Sequence, residues 1–291
     1  MAGRRVIGVD LGGTKILAAV IDLSGRIERQ IERPTPVDSQ DEMIEAVVGA
    51  VLELRTGDTA AVGFGVPARI DSRTGVALGA VNTPLGDIVL EEVLARRIGL
   101  PVGVINDGSA AALAEFLHGA GRGTRNLVLL TLGTGVGGGL ILEGQLYRGW
   151  SEVGHMVIVE DGEPCQGACT GNGHVESYCS GNAADRLARE VLGPDATAYD
   201  LVEQRHPALR RIGRHLGAAV SSLVNLFDPD VVVIGGGFGV AAGSLLLDPA
   251  REVISTEALS PAGTSVRVAV AELGSAAGVI GAGLVAFEAL D

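Results

Sequence analysis

The chain has 291 residues, of which 47% are hydrophobic and 20% are charged. This composition supplies a large buried core and excludes a disordered protein. With 22 Lys and Arg against 35 Asp and Glu, the net charge is −13, which disfavours contact with nucleic-acid phosphates and anionic membranes. We therefore expect a protein with neither nucleic-acid nor membrane partners.

Two further features concern the cellular location. The longest uncharged stretches, Val231 to Asp248 and Leu273 to Glu288, are rich in glycine and shorter than the roughly 20 apolar residues that cross a bilayer. The first residues run directly into a strand pattern without an apolar signal region. Together these features predict a cytoplasmic protein.

The chain begins with a hairpin pattern that occurs a second time. An apolar strand over Arg5 to Asp10, a turn at Gly12 to Lys15 and a second strand over Ile16 to Ile21 follow one another. The same plan recurs at Leu127 to Leu142, with the glycine-rich turn "LGTGVGGG" between two apolar strands. A repeated plan of this kind predicts two related halves.

Alternating strands and helices follow each hairpin, which predicts an α/β fold with two lobes. We expect a small lobe of residues 1–107 plus 277–291 and a large lobe of residues 108–276. Two such lobes, each opening with a glycine-bearing hairpin, are the outline of an actin-like ATPase (ribonuclease H-like) fold with nucleotide in an interlobe cleft. The periodicity predicts helices over Glu42 to Leu54, Leu90 to Ile98, Ala183 to Val191, Leu209 to Phe227 and Ala276 to Leu290, and strands over Ala61 to Val66, Val102 to Asn106 and Val231 to Ile234.

Three glycine turns follow apolar strands, at Val9 to Lys15, Leu132 to Gly139 and Val233 to Gly239. Glycines let the backbone approach an anion and direct N–H groups at it, so these turns predict phosphate binding. Chance is the alternative for any single turn in a chain with 44 glycines. The first turn has neither P-loop nor GxGxxG spacing, which excludes the two commonest nucleotide folds. The predicted nucleotide-binding residues are Gly12, Gly13, Thr14, Lys15, Gly133, Thr134, Gly135, Gly235, Gly236 and Gly237.

Two aspartates lie where strands end. Asp10 closes the first strand, where a carboxylate holds Mg²⁺ against nucleotide phosphates or is an ordinary turn residue. Asp107 follows a buried strand and opens an alanine-rich helix, so it is either a helix cap or the acceptor for a hydroxyl proton in phosphoryl transfer. In the second case Asn106 would hold a neighbouring hydroxyl.

A His and Cys cluster occupies the middle of the chain. His155, Cys165, Cys169 and His174 lie within twenty positions, and two imidazoles with two thiolates suit a tetrahedral structural Zn²⁺. Cys179 lies beyond this set and reads as a small buried apolar residue. Three cysteines so close together do not form a disulfide framework, so the spacing favours metal binding.

Glu152 and Glu176 bracket this cluster. Carboxylates held by a neighbouring metal site can accept hydrogen bonds from sugar hydroxyls. The alternative is that both are surface glutamates, and Glu176 also suits the acidic first turn of a helix.

With these residues assembled, the sequence resembles the ROK family of sugar kinases and related repressors over essentially its whole length. The motifs are "DLGGTK", "IND", "LGTGVGGG", "EVGHM", the cysteine segment ending in Glu176 and "DPDVVVIGGG". The resemblance implies a kinase that uses ATP and Mg²⁺, with structural Zn²⁺, assembled as a homodimer or homotetramer. It also implies that Asp107 is the catalytic base and that the sugar contacts are Gly65, Asn106, Asp107, Glu152, His155 and Glu176.

The sequence departs from the family pattern at three places. The cysteines are four positions apart where the family has Cys-x-Cys, and His174 occupies the position of the last cysteine. Ala68 replaces a frequent glycine, and Trp150 and Ser151 replace a small pair. The expected activity is phosphorylation of the 6-hydroxyl of glucose. Alternatives are another hexose or N-acetylhexosamine (mannose, N-acetylglucosamine, N-acetylmannosamine, allose or fructose) and a sugar-responsive regulator. We do not expect the regulator, because Val6 already lies in the first strand pattern and leaves no room before it for a helix-turn-helix.

Overall fold

The computed structural model describes residues 5–71, 73–79 and 83–290. These residues form two compact units, one comprising the described parts of Met1–His118, Tyr147–Trp150 and Ala276–Asp291, and the other Gly119–Leu146 and Ser151–Ser275. The predicted boundary after Asp107 lies before the one observed, because the helix that Asp107 opens packs on the C-terminal helix and stays in the first unit. The first four residues, where the sequence predicts no signal region, lie outside the described part.

The first unit is built on a five-stranded sheet, a small three-stranded sheet and the helices around them. Its elements before the second unit are β1 (Arg5–Leu11), β2 (Lys15–Ile21), β3 (Ile27–Pro34), α1 (Gln40–Leu54), β4 (Thr59–Val66), β5 (Arg69–Ile70), β6 (Val76–Leu78), β7 (Ile88–Val89), α2 (Leu90–Ile98), β8 (Val102–Asn106) and α3 (Asp107–His118).

The large sheet of the first unit has the order β3-β2-β1-β4-β8. The three hairpin strands are antiparallel, whereas β1, β4 and β8 are parallel. Asp10 pairs with Gly65 and Val66 pairs with Asn106, so the carboxyl ends of the parallel strands lie at one edge. This edge is where the sequence places most of its candidate groups in this unit.

The second unit contains the second five-stranded sheet and most of the helices. Its elements are β9 (Leu127–Leu132), β10 (Val136–Leu142), β11 (Gln145–Leu146), a 3₁₀ turn (Val153–His155), α4 (Val175–Cys179), α5 (Gly181–Leu192), α6 (Ala198–Glu203), α7 (Leu209–Phe227), β12 (Val231–Gly235), α8 (Gly237–Ala242), α9 (Ser244–Glu257), α10 (Ala262–Ser265) and β13 (Arg267–Val270). A second 3₁₀ turn (Gly274–Ala276) then leads into α11 (Ala277–Glu288), which belongs to the first unit.

The second sheet repeats the plan of the first, with the order β11-β10-β9-β12-β13. Its hairpin strands are antiparallel, and β9, β12 and β13 are parallel. The prediction of two related α/β halves, each opening with a glycine-bearing hairpin, is therefore confirmed. Each sheet is covered by its own apolar core.

The C-terminal helix α11 packs very closely on the first sheet. A Cβ at Gly8 in β1 or at Gly63 in β4 would overlap carbonyl oxygens of α11. The absence of side chains at these two positions lets the helix lie directly on the strands, with its first turn beside the end of β1. Among the described residues no helix is both long and apolar enough to span a bilayer.

Candidate active site

The candidate groups of the first unit lie at the carboxyl edge of its parallel strands. Asp10 is near the end of β1, Gly65 lies beside it in β4, and Asn106 ends β8. A Cβ on Gly65 would lie 3.2 Å from the Cβ of Ala110 and 3.7 Å from the Cα of Asp107. Gly65 therefore has a packing role, because it lets the start of α3 sit on the strand end.

Asn106, and not Asp107, caps helix α3. The N–H of Ser109 donates to Oδ1 of Asn106 at 3.2 Å, which is the N-cap arrangement. Oδ1 of Asp107 instead accepts from the adjacent N–H of Gly108 at 2.8 Å. The interpretation of Asp107 as the cap is therefore corrected, since the residue before it satisfies the helix end.

The amide nitrogen of Asn106 is only loosely engaged. Its Nδ2 lies 3.5 Å from the carbonyl oxygen of Ala68, at the long end of hydrogen-bond range. Ala68 is buried, whereas Trp150 is 54% exposed. The guanidinium carbon of Arg69 lies over the Trp150 ring, 5.1 Å from its centroid. The departures from the family pattern at Ala68 and Trp150 thus belong to the same unit as Asn106.

Asp10 is a half-buried residue whose carboxyl has a raised pKa. Burial, and next the negative charge of Asp107, raise its pKa to about 7, while Lys15 opposes the shift. A Cβ on Gly278 in the first turn of α11 would overlap the carboxyl of Asp10, so the group is enclosed by that helix. Two neighbouring carboxylates give the oxygen chemistry that Mg²⁺ prefers. The residues present therefore fit the predicted Mg²⁺ role of Asp10.

The first glycine turn is closed by the hairpin's own backbone. The N–H of Gly12 donates to the carbonyl oxygen of Lys15 at 2.9 Å, and Oγ1 of Thr35 donates to the carbonyl oxygen of Gly12 at 2.7 Å. Thr35 also donates its N–H to the carbonyl oxygen of Thr14. The ammonium of Lys15 pairs with Glu32 at 2.8 Å on the exposed side of β2. The turn is therefore held by the hairpin's own backbone together with Thr35, the residue that follows β3.

The four predicted metal ligands of the second unit come together. One ligand atom from each of His155, Cys165, Cys169 and His174 lies within 4.8 Å of all the others. The Nδ1 atoms of the two histidines are 3.3 Å apart, and each lies near one thiol, at 3.7 Å for Cys165 and 3.6 Å for Cys169.

These distances fit a tetrahedral zinc site. Zn–N bonds of about 2.0 Å and Zn–S bonds of about 2.3 Å place tetrahedral ligand atoms roughly 3.3 to 3.8 Å apart. Without metal, burial and the neighbouring Cys169 raise the pKa of Cys165 to about 11. Zinc binding requires the thiolate, so it would displace that proton. The prediction that the third cysteine, Cys179, is a buried apolar residue is confirmed.

Local backbone contacts fold the cysteine loop, residues 163–174, onto itself. Pro164 bridges Asn172, and the N–H of Cys165 donates to the carbonyl oxygen of Gly171 at 2.9 Å. His174 is almost wholly buried and bridges Val157. His155 is exposed and directs Nδ1 at the cluster, which leaves its Nε2 for another partner.

Glu176 is tied to the second glycine turn. Its Oε2 accepts from the N–H of Val136 at 2.9 Å, and its Oε1 lies 3.8 Å from Sγ of Cys165. A Cβ on Gly135 would overlap Glu176. The alternative of a solvated surface glutamate is therefore wrong for Glu176. Glu152 is half-buried and directly precedes the 3₁₀ turn that carries His155.

The second and third of the three glycine turns are both in the second unit and lie against each other. The N–H of Gly181 donates to the carbonyl oxygen of Gly133 at 2.6 Å, which joins the second turn to the start of α5. Gly236 has φ +79°, and a Cβ there would overlap the backbone of Leu132. The structure thus brings the predicted residues at 133–135 and 235–237 together.

One residue at this site is absent from the sequence-based predictions. Gln166 lies between the two ligand cysteines and donates from Nε2 to the carbonyl oxygen of Thr134 at 3.2 Å. Its Oε1 accepts from Nδ2 of Asn182 at 2.7 Å. Its only sequence signal is its place in the widened interval between Cys165 and Cys169.

Comparison with known proteins places the chain in a family. The ROK family model matches residues 6–289. The glucokinase of Streptomyces coelicolor is 35% identical, with 97% of both chains covered, and the N-acetylmannosamine kinase of Vibrio vulnificus is 31% identical, with 83% of this chain and 85% of that one covered. The structure of a ROK family glucokinase from Streptomyces griseus in complex with glucose and AMPPNP is 33% identical, with a TM-score of 0.85 over 98% of this chain and 99% of that chain. The chain therefore belongs to the ROK family and has the actin-like ATPase fold.

Proposed function

We propose that this protein is an ATP-dependent glucokinase, which transfers the γ-phosphoryl group of ATP to the 6-hydroxyl of glucose. The observation that carries the proposal is the carboxylate of Asp107, which opens α3 while Asn106 caps that helix. Asn106 thus provides the N-cap of α3, and we assign Asp107 the role of the base. The relatives named glucokinase, matched over nearly the whole chain, support this choice of reaction.

Asp107 acts as the proton acceptor in the proposed reaction. As the 6-oxygen of the sugar bonds to the γ-phosphorus, its proton passes to Asp107 and the bond from the γ-phosphorus to the β,γ-bridging oxygen breaks. ADP leaves with that electron pair. Mg²⁺, held through Asp10, supplies charge neutralisation on the donor phosphates when bound.

The proposed sugar contacts are the residues that the family pattern implies. Asn106 uses its loosely engaged amide, and Gly65 leaves space beside it. Glu152 and the remaining lone pairs of Glu176 accept hydrogen bonds from further hydroxyls, and Nε2 of His155 accepts from or donates to another. The glycines at 12–13, 133, 135 and 235–237, with Thr14, Lys15 and Thr134, bind ATP.

The cysteine loop is proposed to bind structural Zn²⁺ through His155, Cys165, Cys169 and His174. The ligand distances support this set of two nitrogens and two sulfurs. His155 then serves metal and sugar with different ring nitrogens.

We further propose a cytoplasmic homodimer or homotetramer with no nucleic-acid partner. The net charge of −13 supports the last point. Light scattering of the purified protein measures the assembly. Specific DNA binding in a gel-shift experiment would instead favour a sugar-responsive regulator.

The test is a coupled ADP-release assay with glucose, mannose, N-acetylglucosamine, N-acetylmannosamine, allose and fructose. We expect the highest kcat/KM with glucose. The relative from Vibrio vulnificus makes N-acetylmannosamine the second candidate. A clear preference for that sugar would replace glucose in the proposal, and no ADP release with any of the six would refute it.

A further inference from the structure

Two side chains from the cysteine segment hold consecutive peptide groups of the second glycine turn. Gln166 donates to the carbonyl oxygen of Thr134, and Glu176 accepts from the N–H of Val136. Between these two contacts lies Gly135, whose Cβ would overlap Glu176 and lie 3.5 Å from Nε2 of Gln166. The turn is therefore packed against the segment with no space for a side chain.

These contacts fix the direction of a particular donor group. A trans peptide is planar, with its C=O and N–H pointing to opposite sides. Because Gln166 holds the C=O of Thr134, the N–H of Gly135 in the same peptide points away from Gln166. Oriented N–H groups of a glycine turn are the groups that bind an anion.

Gln166 itself is held in place. Its Oε1 accepts from Nδ2 of Asn182 in the first turn of α5, so both ends of its amide are engaged. The start of α5 also contacts the turn directly, since Gly181 donates to the carbonyl oxygen of Gly133. Gln166 directly follows Cys165, so its backbone position depends on the cysteine cluster.

We propose that Gln166 is a positioning residue for the phosphoryl donor, which aims the Gly135 N–H at the donor phosphates and makes donor affinity depend on the metal-held loop. This inference rests on the proposed function only in taking the donor to be a nucleoside triphosphate. It assigns a role to the residues between the two cysteines, where this chain departs from the family spacing.

The experiment compares Gln166→Leu with Thr170→Ala in zinc-loaded full-length protein. Leu keeps most of the side-chain volume of Gln but cannot donate a hydrogen bond. Thr170, an exposed residue of the same loop, is the control position. Calorimetric titration with AMPPNP should show roughly five- to tenfold weaker binding for Gln166→Leu, the size of one lost hydrogen bond. Glucose binding should be unchanged in both variants.

Hydrogen exchange provides a readout that does not require turnover. In Gln166→Leu, amides of residues 132–139 should exchange faster than in wild type, and in Thr170→Ala they should not. If the protein shows this exchange pattern but phosphorylates none of the sugars, the proposed function is wrong and the positioning role of Gln166 still stands. Unchanged AMPPNP affinity, or an equal loss for AMPPNP and glucose, would overturn the inference.

A second variant covers the case in which Gln166→Leu loses zinc. Asn182→Ala leaves the cysteine loop intact and removes only the group that holds Gln166. It should weaken AMPPNP binding about twofold with full zinc content. Zinc content is measured on every sample, and a zinc-loaded Asn182→Ala with wild-type AMPPNP affinity and exchange would count against the positioning role.

Discussion

The two units share one sheet plan but stabilise their glycine turns in different ways. In the first unit, backbone bonds within the hairpin and one threonine just after β3 close the turn at Gly12 to Lys15. In the second unit, Gln166 and Glu176 from the cysteine segment hold the turn at Gly133 to Val136. The first turn is thus held by its own hairpin and by Thr35 after the next strand, whereas the second is held by side chains of the segment that carries the proposed metal ligands.

The units also differ in the kinds of functional group that they contain. The first has two neighbouring carboxyls, Asp10 near the end of β1 and Asp107 directly after β8. The second has a cluster of nitrogen and sulfur ligands with one carboxylate, Glu176, between cluster and turn. The proposed catalytic carboxylates and the proposed metal ligands therefore lie in different parts of the chain, and each set can be substituted without changing the other.

The largest expected effect is the loss of the base in the first unit. Asp107→Ala should lower kcat by roughly 10²- to 10⁴-fold, the usual contribution of a general base. Glucose and AMPPNP binding, measured by calorimetry, should persist within a few-fold. Asp38→Asn, in a loop of the same unit, is the matched control. A kcat near wild type for Asp107→Ala would remove the base from the proposed mechanism.

The next largest effect is expected from removing a proposed zinc ligand, His174, in the second unit. His174→Ala should lose zinc and lower kcat/KM for ATP roughly 100-fold, because structural zinc sites contribute directly to folding of their loops. His174→Cys restores the usual family ligand and should retain about one zinc per chain by atomic emission. If His174→Ala keeps both its zinc and its activity, the ligand set is wrong.

One pH effect arises from Asp10 in the first unit. Because the pKa of Asp10 is about 7 in the folded protein, against an ordinary value of 3.8, the folded chain keeps a proton that the unfolded chain releases. The free energy of unfolding should therefore fall as pH rises from about 4 to 7, by about 2 to 4 kcal/mol.

Asp10→Asn should remove this pH dependence. Urea unfolding in magnesium-free buffer between pH 5 and 8 measures both proteins. The variant should gain stability relative to wild type at pH 8 and much less at pH 5. Parallel stability curves for the two proteins would show that Asp10 is ionised throughout.

The smallest effect is expected from Lys15, in the first glycine turn. The pair of Lys15 and Glu32 is exposed, and such pairs contribute at most about 1 kcal/mol. Because the ammonium proposed to contact ATP is solvent-exposed and already paired with Glu32, Lys15→Ala should raise KM for ATP less than threefold, and it should leave hydrogen exchange of residues 11–16 unchanged. A tenfold rise in KM would mean that the first turn also depends on side chains for donor binding.

Most of the fold followed from the hydrophobic pattern. The helices Leu90–Ile98 and Leu209–Phe227 have the predicted bounds, because their apolar periodicity runs to both ends. Helices α1 and α5 begin two residues before the prediction. Their first turns are polar or small and are fixed by the caps Ser39 and Ser180, so no periodicity marks them.

The candidate site was predictable only where residue type carries the chemistry. Histidines and cysteines in one short segment indicate a metal cluster by their type and spacing alone. Gln166 carries no such signal, since its role arises only when the loop folds back through Pro164 and Asn172. Asn106 and Asp107 are both good capping residues, so the sequence left open which of them ends the helix.

That division between Asn106 and Asp107 makes this protein suited to trapping its complexes. Since the helix end is satisfied by Asn106, an Asp107 variant should stay folded while holding sugar and nucleotide without turning them over. Such a variant would allow both ligands to be crystallised together in unreacted form.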